Sequence, residues 1–339
     1  MTVRLVRRPT TVDVEAAAVV VARHLAPTPV LASPRLGAHV VLKLETVQPT
    51  GSFKVRGALV AVAASLQRAA VTGGSGRPVV TASAGNHGLG VAYAAQTFGV
   101  RAVIVIPENA SEAKRTALGM FEAEIVRHGR SFEEAESHAL ELTTRLGGDY
   151  LSAYNDPEVI AGQGTIALEL IDQLPDLTTI VAPVGGGGLV AGLALGAELG
   201  PGLAVRGVGA DASPALVASV AAGGVVDIPI GATLADGLAG NIEAGSVTVP
   251  LIAAGVEELA GVDEESIAAG VRFLAFEHGL VCEPSGAVGV AGLLSGRTEP
   301  GRGTTAVVVT GRNITAALLG QLLSGTIPEY RAYPPSAEA

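Results

Sequence analysis

The chain holds three lysines among its 339 residues, Lys43, Lys54 and Lys114, and arginine supplies the rest of its basic side chains. Lys54 lies between Phe53 and Val55 in the stretch Gln48 to Gly57, after a Pro-Thr-Gly-Ser turn and at the start of an apolar helical run. A lysine partly withdrawn from water at such a point has a depressed pKa and can act as a free amine near neutral pH. Schiff-base chemistry needs that amine. A snorkelling lysine at a helix start is the plainer alternative, and Lys54 alone does not separate the two.

Three further loops each fall where a strand ends, the place where open parallel sheets bind ligands. In Thr81 to Gly88 the backbone N–H groups open a helix and favour a carboxylate, with Ser83, Asn86 and His87 adding polar side chains. An ordinary N-cap reads the same way in isolation. In Pro183 to Leu189, four consecutive glycines, Gly185, Gly186, Gly187 and Gly188, let backbone amides approach and cradle a phosphate. Residues Gly186 to Ala191 also fit the loose dinucleotide pattern, with Asp211 as the ribose carboxylate, so a nicotinamide or flavin enzyme stays open at this point. In Val309 to Asn313, the Thr310 hydroxyl is placed to meet a ring nitrogen. A reactive amine, a carboxylate cradle, a phosphate cradle and a terminal hydroxyl together call for a cofactor with an aldehyde, a phosphate and a ring nitrogen. Pyridoxal 5'-phosphate has all three. The nicotinamide alternative leaves Lys54 and the serine-asparagine loop unexplained.

The elements that must position these loops follow from the apolar pattern. Helices are expected over 12–25, from Lys54 to about Arg68, and over 87–98, 111–120, 132–146, 157–173, 189–199, 213–222, 264–277, 285–295 and 313–324. Strands are expected at 40–44, 79–81, 103–106, 125–126, 178–183, 204–210 and 305–310, with a looser stretch from Gly223 to Val249. Alternation of this kind implies an α/β fold of two lobes, each an open parallel sheet covered by helices, the smaller lobe inserted into the larger. Residues 1–68 and 151–326 would form the large cofactor-binding domain, 69–150 the small domain, and 327–339 a frayed Pro-rich tail.

Composition narrows the partners. A net charge of −10 with no arginine cluster argues against nucleic acid. The single cysteine, Cys282, offers no disulfide framework and no thiolate metal cluster. No apolar stretch approaches the roughly 20 residues of a membrane span. The expected protein is cytoplasmic and takes a small-molecule substrate.

The motifs then resemble the fold-type-II (tryptophan-synthase-beta-like) pyridoxal-phosphate enzymes, specifically the serine/threonine dehydratase, or threonine ammonia-lyase, family. The likeness runs from about residue 12 to 324 and rests on Thr50 to Gly57, Ser83 to His87, Ala161 to Thr165, Gly185 to Gly188 and Glu283 to Gly286. The resemblance implies that Lys54 carries the cofactor as a Schiff base and then removes the α-proton. It implies that Phe53 lines the ring, Asn86 bonds the ring's 3-oxygen, Gly185 to Leu189 hold the phosphate and Thr310 faces the pyridine nitrogen, with Glu283 as a further cofactor neighbour. Ser83, Ala84, Gly85, Asn86 and His87 would hold the substrate carboxylate. The implied reaction converts L-threonine or L-serine to a keto acid and ammonia. The alternatives are a dehydratase of 3-hydroxyaspartate or of a hydroxyectoine-derived compound, and a metabolite-binding relative without catalysis.

Ala84 stands where serine racemases of the family carry a second serine, which argues against racemisation. Val208-Gly209-Ala210 replaces a Val-Glu-Pro whose carboxylate some members use for a divalent cation. Asp211 is the nearest substitute, and no metal site is assigned. Arg312 brings charge and bulk beside the Thr310 loop, and the segment Tyr154-Asn155-Asp156 departs from the phenylalanine-bearing version common in threonine deaminases. Members of the family are often dimers, so a homodimer is one expectation.

Overall fold

The structure is a computed structural model that describes residues 4–71 and 76–328. Residues 72–75, and all but the first two residues of the expected tail, lie outside the described residues. After helix α1 (Thr11–Ala22), strands β1 (Val30–Ala32) and β2 (Val40–Leu44) lead through a short 3-10 turn to α2 (Lys54–Val71). The chain then builds β3 (Val79–Ala82), α3 (Asn86–Phe98), β4 (Ala102–Ile106), α4 (Glu112–Leu118), β5 (Glu124–Arg127), α5 (Phe132–Leu146) and β6 (Asp149–Tyr150). These strands form a four-stranded parallel sheet in the order β5-β4-β3-β6.

The rest of the chain runs α6 (Pro157–Gln173), β7 (Leu177–Pro183), α7 (Gly188–Ala197), β8 (Ala204–Ala210), α8 (Ala215–Ala221), α9 (Thr248–Gly255) and β9 (Glu258–Val262). It closes with α10 (Glu264–His278), α11 (Pro284–Leu294), β10 (Thr304–Val309) and α12 (Ala316–Leu323). Its strands join the first two in a six-stranded sheet of order β1-β2-β10-β7-β8-β9, parallel except at the β1 edge, where Leu31 pairs antiparallel with Leu42. Central strands such as β4 are buried along their whole length, as a parallel sheet covered on both faces requires.

Local chemistry sets the element ends. Ser131 and Asp263 cap α5 and α10 by accepting the N–H groups of Glu134 and Ser266, and Gly147 and Gly279 end the same helices in the left-handed region. The glycines of Ala161 to Thr165 serve helix packing. A Cβ on Gly162 would lie 2.5 Å from the Cα of Gly57 on α2, and one on Gly196 of α7 would lie 2.7 Å from the Gly164 carbonyl. Only bare backbone allows α2, α6 and α7 to cross this closely. The crossing seats the N-terminal end of α2, which begins at Lys54, against α6.

Four elements depart from expectation, the two-residue strand β6 among them. The looser stretch ends in α9 and is followed by β9, neither of which the pattern suggested, and β1 is an added edge strand. Pro250 inside α9 reads as a breaker but sits in the first turn, where its missing N–H has no intrahelical partner to lose. Strand β9 is Glu-Leu-Ala-Gly-Val at a sheet edge with only Val262 buried, so it lacks the apolar run of a central strand.

Candidate active site

Lys54 is the first residue of α2, and the loop before it is stitched to the loop after β10. Phe53 N–H donates to the Thr310 carbonyl at 3.0 Å, Arg312 N–H donates to the Gly51 carbonyl at 2.9 Å, and Ser52 bridges Gly311. Two residues far apart in sequence, Lys54 and Thr310, are thereby brought to one cleft of about 2100 Å³ that runs between the two sheets. The Lys54 amine donates to the Ala153 carbonyl at 2.7 Å and lies 5.2 Å from the centre of the Phe53 ring. Burial pulls its pKa down to about 8, with Glu283 acting weakly the other way. A fraction of this lysine is therefore free amine at neutral pH, far more than for one in water.

The loop after β3 faces the same cleft. Gly85 N–H donates to Ser83 Oγ at 3.2 Å, and Leu89 N–H closes the first turn of α3 on Gly85. The N–H groups of Asn86, His87 and Gly88 have no protein partner among the described residues, so the start of α3 offers free donors and a positive dipole end. The His87 imidazole does not share this role. It is buried, its Nε2 donates to the Leu151 carbonyl at 3.1 Å, and burial with the nearby Lys54 charge drives its pKa down to about 3. His87 is neutral, and what it offers a carboxylate is its backbone N–H.

The glycine loop lies across the cleft between β7 and α7. The N–H groups of Gly185, Gly186, Gly187, Gly188, Leu189 and Val190 have no protein partner among the described residues. Gly187 has a φ of +90°, which turns the chain into the helix and favours glycine. Gly186 and Gly188 are required by what lies behind them, since a Cβ on Gly186 would sit 2.5 Å from Tyr154 Cγ and one on Gly188 2.8 Å from Tyr154 Cα. Tyr154 is thus a wall of this cradle.

Asn86, Asn313 and Glu283 form a chain of polar groups beside Thr310. Asn313 Nδ2 donates to Asn86 Oδ1 at 2.6 Å and Asn86 Nδ2 donates to Glu283 Oε1 at 2.7 Å. Burial pushes the Glu283 carboxyl up to about 8 against the stabilising bond from Asn86, so it is mostly protonated at pH 7. Thr310 is buried and its side chain lines the cleft. Arg312, two residues past Thr310, is exposed and outside the cleft lining. Ala84 and Phe53 line the cleft.

A buried ion cluster anchors α2 just past Lys54. Arg56 forks onto Glu45, with Nε and Nη2 each at 2.8 Å, and onto Glu169, with Nη1 at 2.6 Å and Nη2 at 2.9 Å. Lys43 donates to Glu169 at 2.6 Å. Burial alone would discharge these groups, but the carboxylates hold Arg56 above its usual pKa and Arg56 holds Glu45 below its own. Lys43 is structural. No local signal marks this cluster in the sequence, because its members lie on β2, the turn, α2 and α6.

Two alternatives meet the structure here. Asp211, the carboxylate of the dinucleotide pattern, does not line the cleft and lies 3.9 Å from Arg297. Among the described residues no group of three or more His, Cys, Asp or Glu is arranged to hold a metal ion. Pyridoxal phosphate fits the residues present: a softened amine, a phosphate-sized set of free amides and a separate carboxylate cradle share one cleft.

Fold and site together define an enzyme that holds a phosphorylated carbonyl cofactor through a lysine. The chain belongs to the pyridoxal-phosphate dependent enzymes, a family that matches residues 21–311. It is 39% identical to an L-threonine ammonia-lyase of Thermotoga maritima over 85% of this chain and 70% of that one. It is 34% identical to the L-threo-3-hydroxyaspartate ammonia-lyase of Saccharomyces cerevisiae, over 94% of this chain and 97% of that one. The solved structure of a T.th. threonine deaminase superposes with a TM-score of 0.81 at 35% identity, covering 91% of this chain and 99% of that one.

Proposed function

We propose that the chain is a pyridoxal-phosphate-dependent ammonia-lyase that converts a small β-hydroxy amino acid, L-threonine or L-serine, to a keto acid and ammonia. The observation that carries this reading is the Lys54 amine, with its pKa near 8, between two sets of free backbone donors. Bound through Lys54, the cofactor supplies an electron-accepting ring that acidifies the substrate's α-proton. The amides of Gly185 to Leu189 would hold its phosphate, and Phe53, Asn86 and Thr310, which line the same cleft, would hold its ring, with Asn86 serving the 3-oxygen and the Thr310 hydroxyl the ring nitrogen. A neutral Thr310 hydroxyl, in place of a carboxylate, would not hold that nitrogen protonated, which would favour prompt loss of the β-hydroxyl. The amides of Asn86, His87 and Gly88 bind the substrate carboxylate and fix the α-carbon over Lys54. The Lys54 Nζ would take the α-proton, and the β-hydroxyl would leave as water on receiving one proton in return, so that one H⁺ and one HO⁻ are lost from the substrate. That water is regained when the enamine product hydrolyses, so the net reaction releases only ammonia. Glu283, protonated at pH 7, keeps Asn86 oriented and adds no charge beside the ring.

We further propose that residues 1–68 and 151–326 act as the cofactor-binding domain and 69–150 as a small domain that brings the substrate carboxylate cradle. No described helix is long and apolar enough to cross a membrane, and a cytoplasmic enzyme is the reading adopted. A second reading takes 3-hydroxyaspartate as substrate. It is favoured by the likeness to the yeast enzyme and by Arg130, an exposed residue at the cleft whose guanidinium has no partner among the described residues. The test compares keto-acid release from L-threonine, L-serine and L-threo-3-hydroxyaspartate by the cofactor-loaded protein. Highest kcat/KM on threonine or serine supports the first reading, and on hydroxyaspartate the second. No product from any of them sinks both.

A further inference from the structure

Arg4 precedes the residues matched by the family, yet its side chain lines the cleft. Its Nε donates to Glu243 Oε1 at 2.6 Å, and its Nη2 donates to Glu243 Oε2 at 3.1 Å and to the Asn155 carbonyl at 2.8 Å. The guanidinium carbon lies 5.0 Å over the ring of Tyr150, whose hydroxyl donates to Glu136 on α5 at 2.8 Å. Glu243 also accepts Asn155 Nδ2 at 2.9 Å and donates its own N–H to Tyr154 Oη at 2.8 Å. Asn155 Oδ1 accepts the Val247 N–H at 3.1 Å. Arg4, Glu243 and Asn155 are thus one knot.

Both supports of the glycine loop hang from that knot. The first is the Tyr154 ring, packed so closely under Gly186 that no Cβ would fit, with its hydroxyl fixed by Glu243. The second is Thr248, whose Oγ1 donates to the Gly186 carbonyl at 2.9 Å and which follows the Val247 amide held by Asn155. A bidentate guanidinium is suited to fix a carboxylate in one orientation. A half-buried ion pair of purely structural use would explain a small stabilisation, but not the convergence of both supports on one residue, Glu243, through its backbone N–H to Tyr154 and through its carboxylate and Asn155 to Val247 and Thr248.

We propose that Arg4 is a positioning residue for the phosphate loop: by fixing Glu243 and Asn155 it holds Tyr154 and Thr248 against Gly186 and so sets the affinity for the cofactor's phosphate. The proposal rests on the reading that Gly185 to Leu189 bind that phosphate. The test titrates apo protein with pyridoxal 5'-phosphate and, separately, with pyridoxal, following the visible absorption of the lysine adduct. Wild type, Arg4→Ala and Arg4→Lys are compared, with the apo thermal midpoint as a fold control. Arg4→Ala weakens pyridoxal 5'-phosphate binding roughly tenfold and leaves pyridoxal binding unchanged. Arg4→Lys, which keeps the charge without the fork, falls between. Equal weakening toward both ligands, or unchanged affinity for the phosphorylated one, overturns the proposal. If Arg4→Ala does not fold, Arg4→Lys and Tyr154→Phe, which removes the acceptor of the Glu243 N–H, are judged by the same selective loss. Wild type that binds both ligands equally well overturns the phosphate-loop reading itself, a separate failure visible before any variant is made.

Discussion

Arg56→Met removes the centre of the buried ion cluster while nearly keeping side-chain volume. The change deletes five hydrogen bonds, two to Glu45, two to Glu169 and one to Thr165. Glu45, with no exposed side-chain surface, is left with Thr28 and Gln48 and no direct cation. Breaking one member out of a buried ion pair costs about 3–5 kcal/mol, because a charge remains buried without its partner. Glu169 is 15% exposed and keeps Lys43, which places the loss at the lower end of that range. An unfolding entropy of about 2 cal/mol/K per residue makes the corresponding fall in melting temperature ~4 °C for a chain of this length. The deficit shrinks toward low pH, since Glu45 without Arg56 is pushed up by burial and can protonate. Differential scanning calorimetry of the apo protein between pH 5 and 8 reads both effects. Because α2 begins at Lys54, cofactor affinity falls with the melting temperature. A fall below about 1 °C, or one independent of pH, would refute the claim that the cluster anchors the catalytic helix.

Gly186→Ala places a Cβ 2.5 Å from Tyr154 Cγ, so the cradle must shift, at roughly 1–3 kcal/mol. Cofactor content after equilibrium dialysis should fall about tenfold or more, while Gly224→Ala, with nothing within 4 Å of its Cβ, should bind normally. Glu283, whose pKa rises from 4.5 to about 8 on folding, contributes stability that is fully present below pH 4.5 and is lost as pH rises through about 8. Glu283→Gln keeps the acceptor for Asn86 without the ionisation, so the wild type should lose more melting temperature than the variant between pH 6 and 9. Equal slopes would mean that Glu283 is not a buried, protonated carboxyl.

The alternating units from β3 to α8, β6 excepted, were legible because their strands carry short apolar runs and their helices are bounded by a cap or a glycine; β6 is only Asp149-Tyr150 and carries no such run. Sequence motifs also pointed to Lys54, Asn86, the glycine loop and Thr310, whose positions are marked by local turn chemistry. Side-chain direction was not legible. His87 sits in a polar loop but turns its ring to the Leu151 carbonyl, and Arg312 adjoins the Thr310 loop but faces solvent. Long-range partnerships were equally hidden. Lys43 stands in an apolar strand whose ionic partner comes 126 residues later, and Arg4 finds Glu243 at a separation of 239 residues.

The central claim is that Lys54 alone carries the cofactor, and three lysines make the test decisive. Protein loaded with pyridoxal 5'-phosphate is reduced with borohydride, digested and mapped by mass spectrometry. One phosphopyridoxyl group is expected on Lys54 of the wild type, and none on Lys54→Ala. A label on Lys43 or Lys114, or persistent labelling of the variant, would contradict the claim.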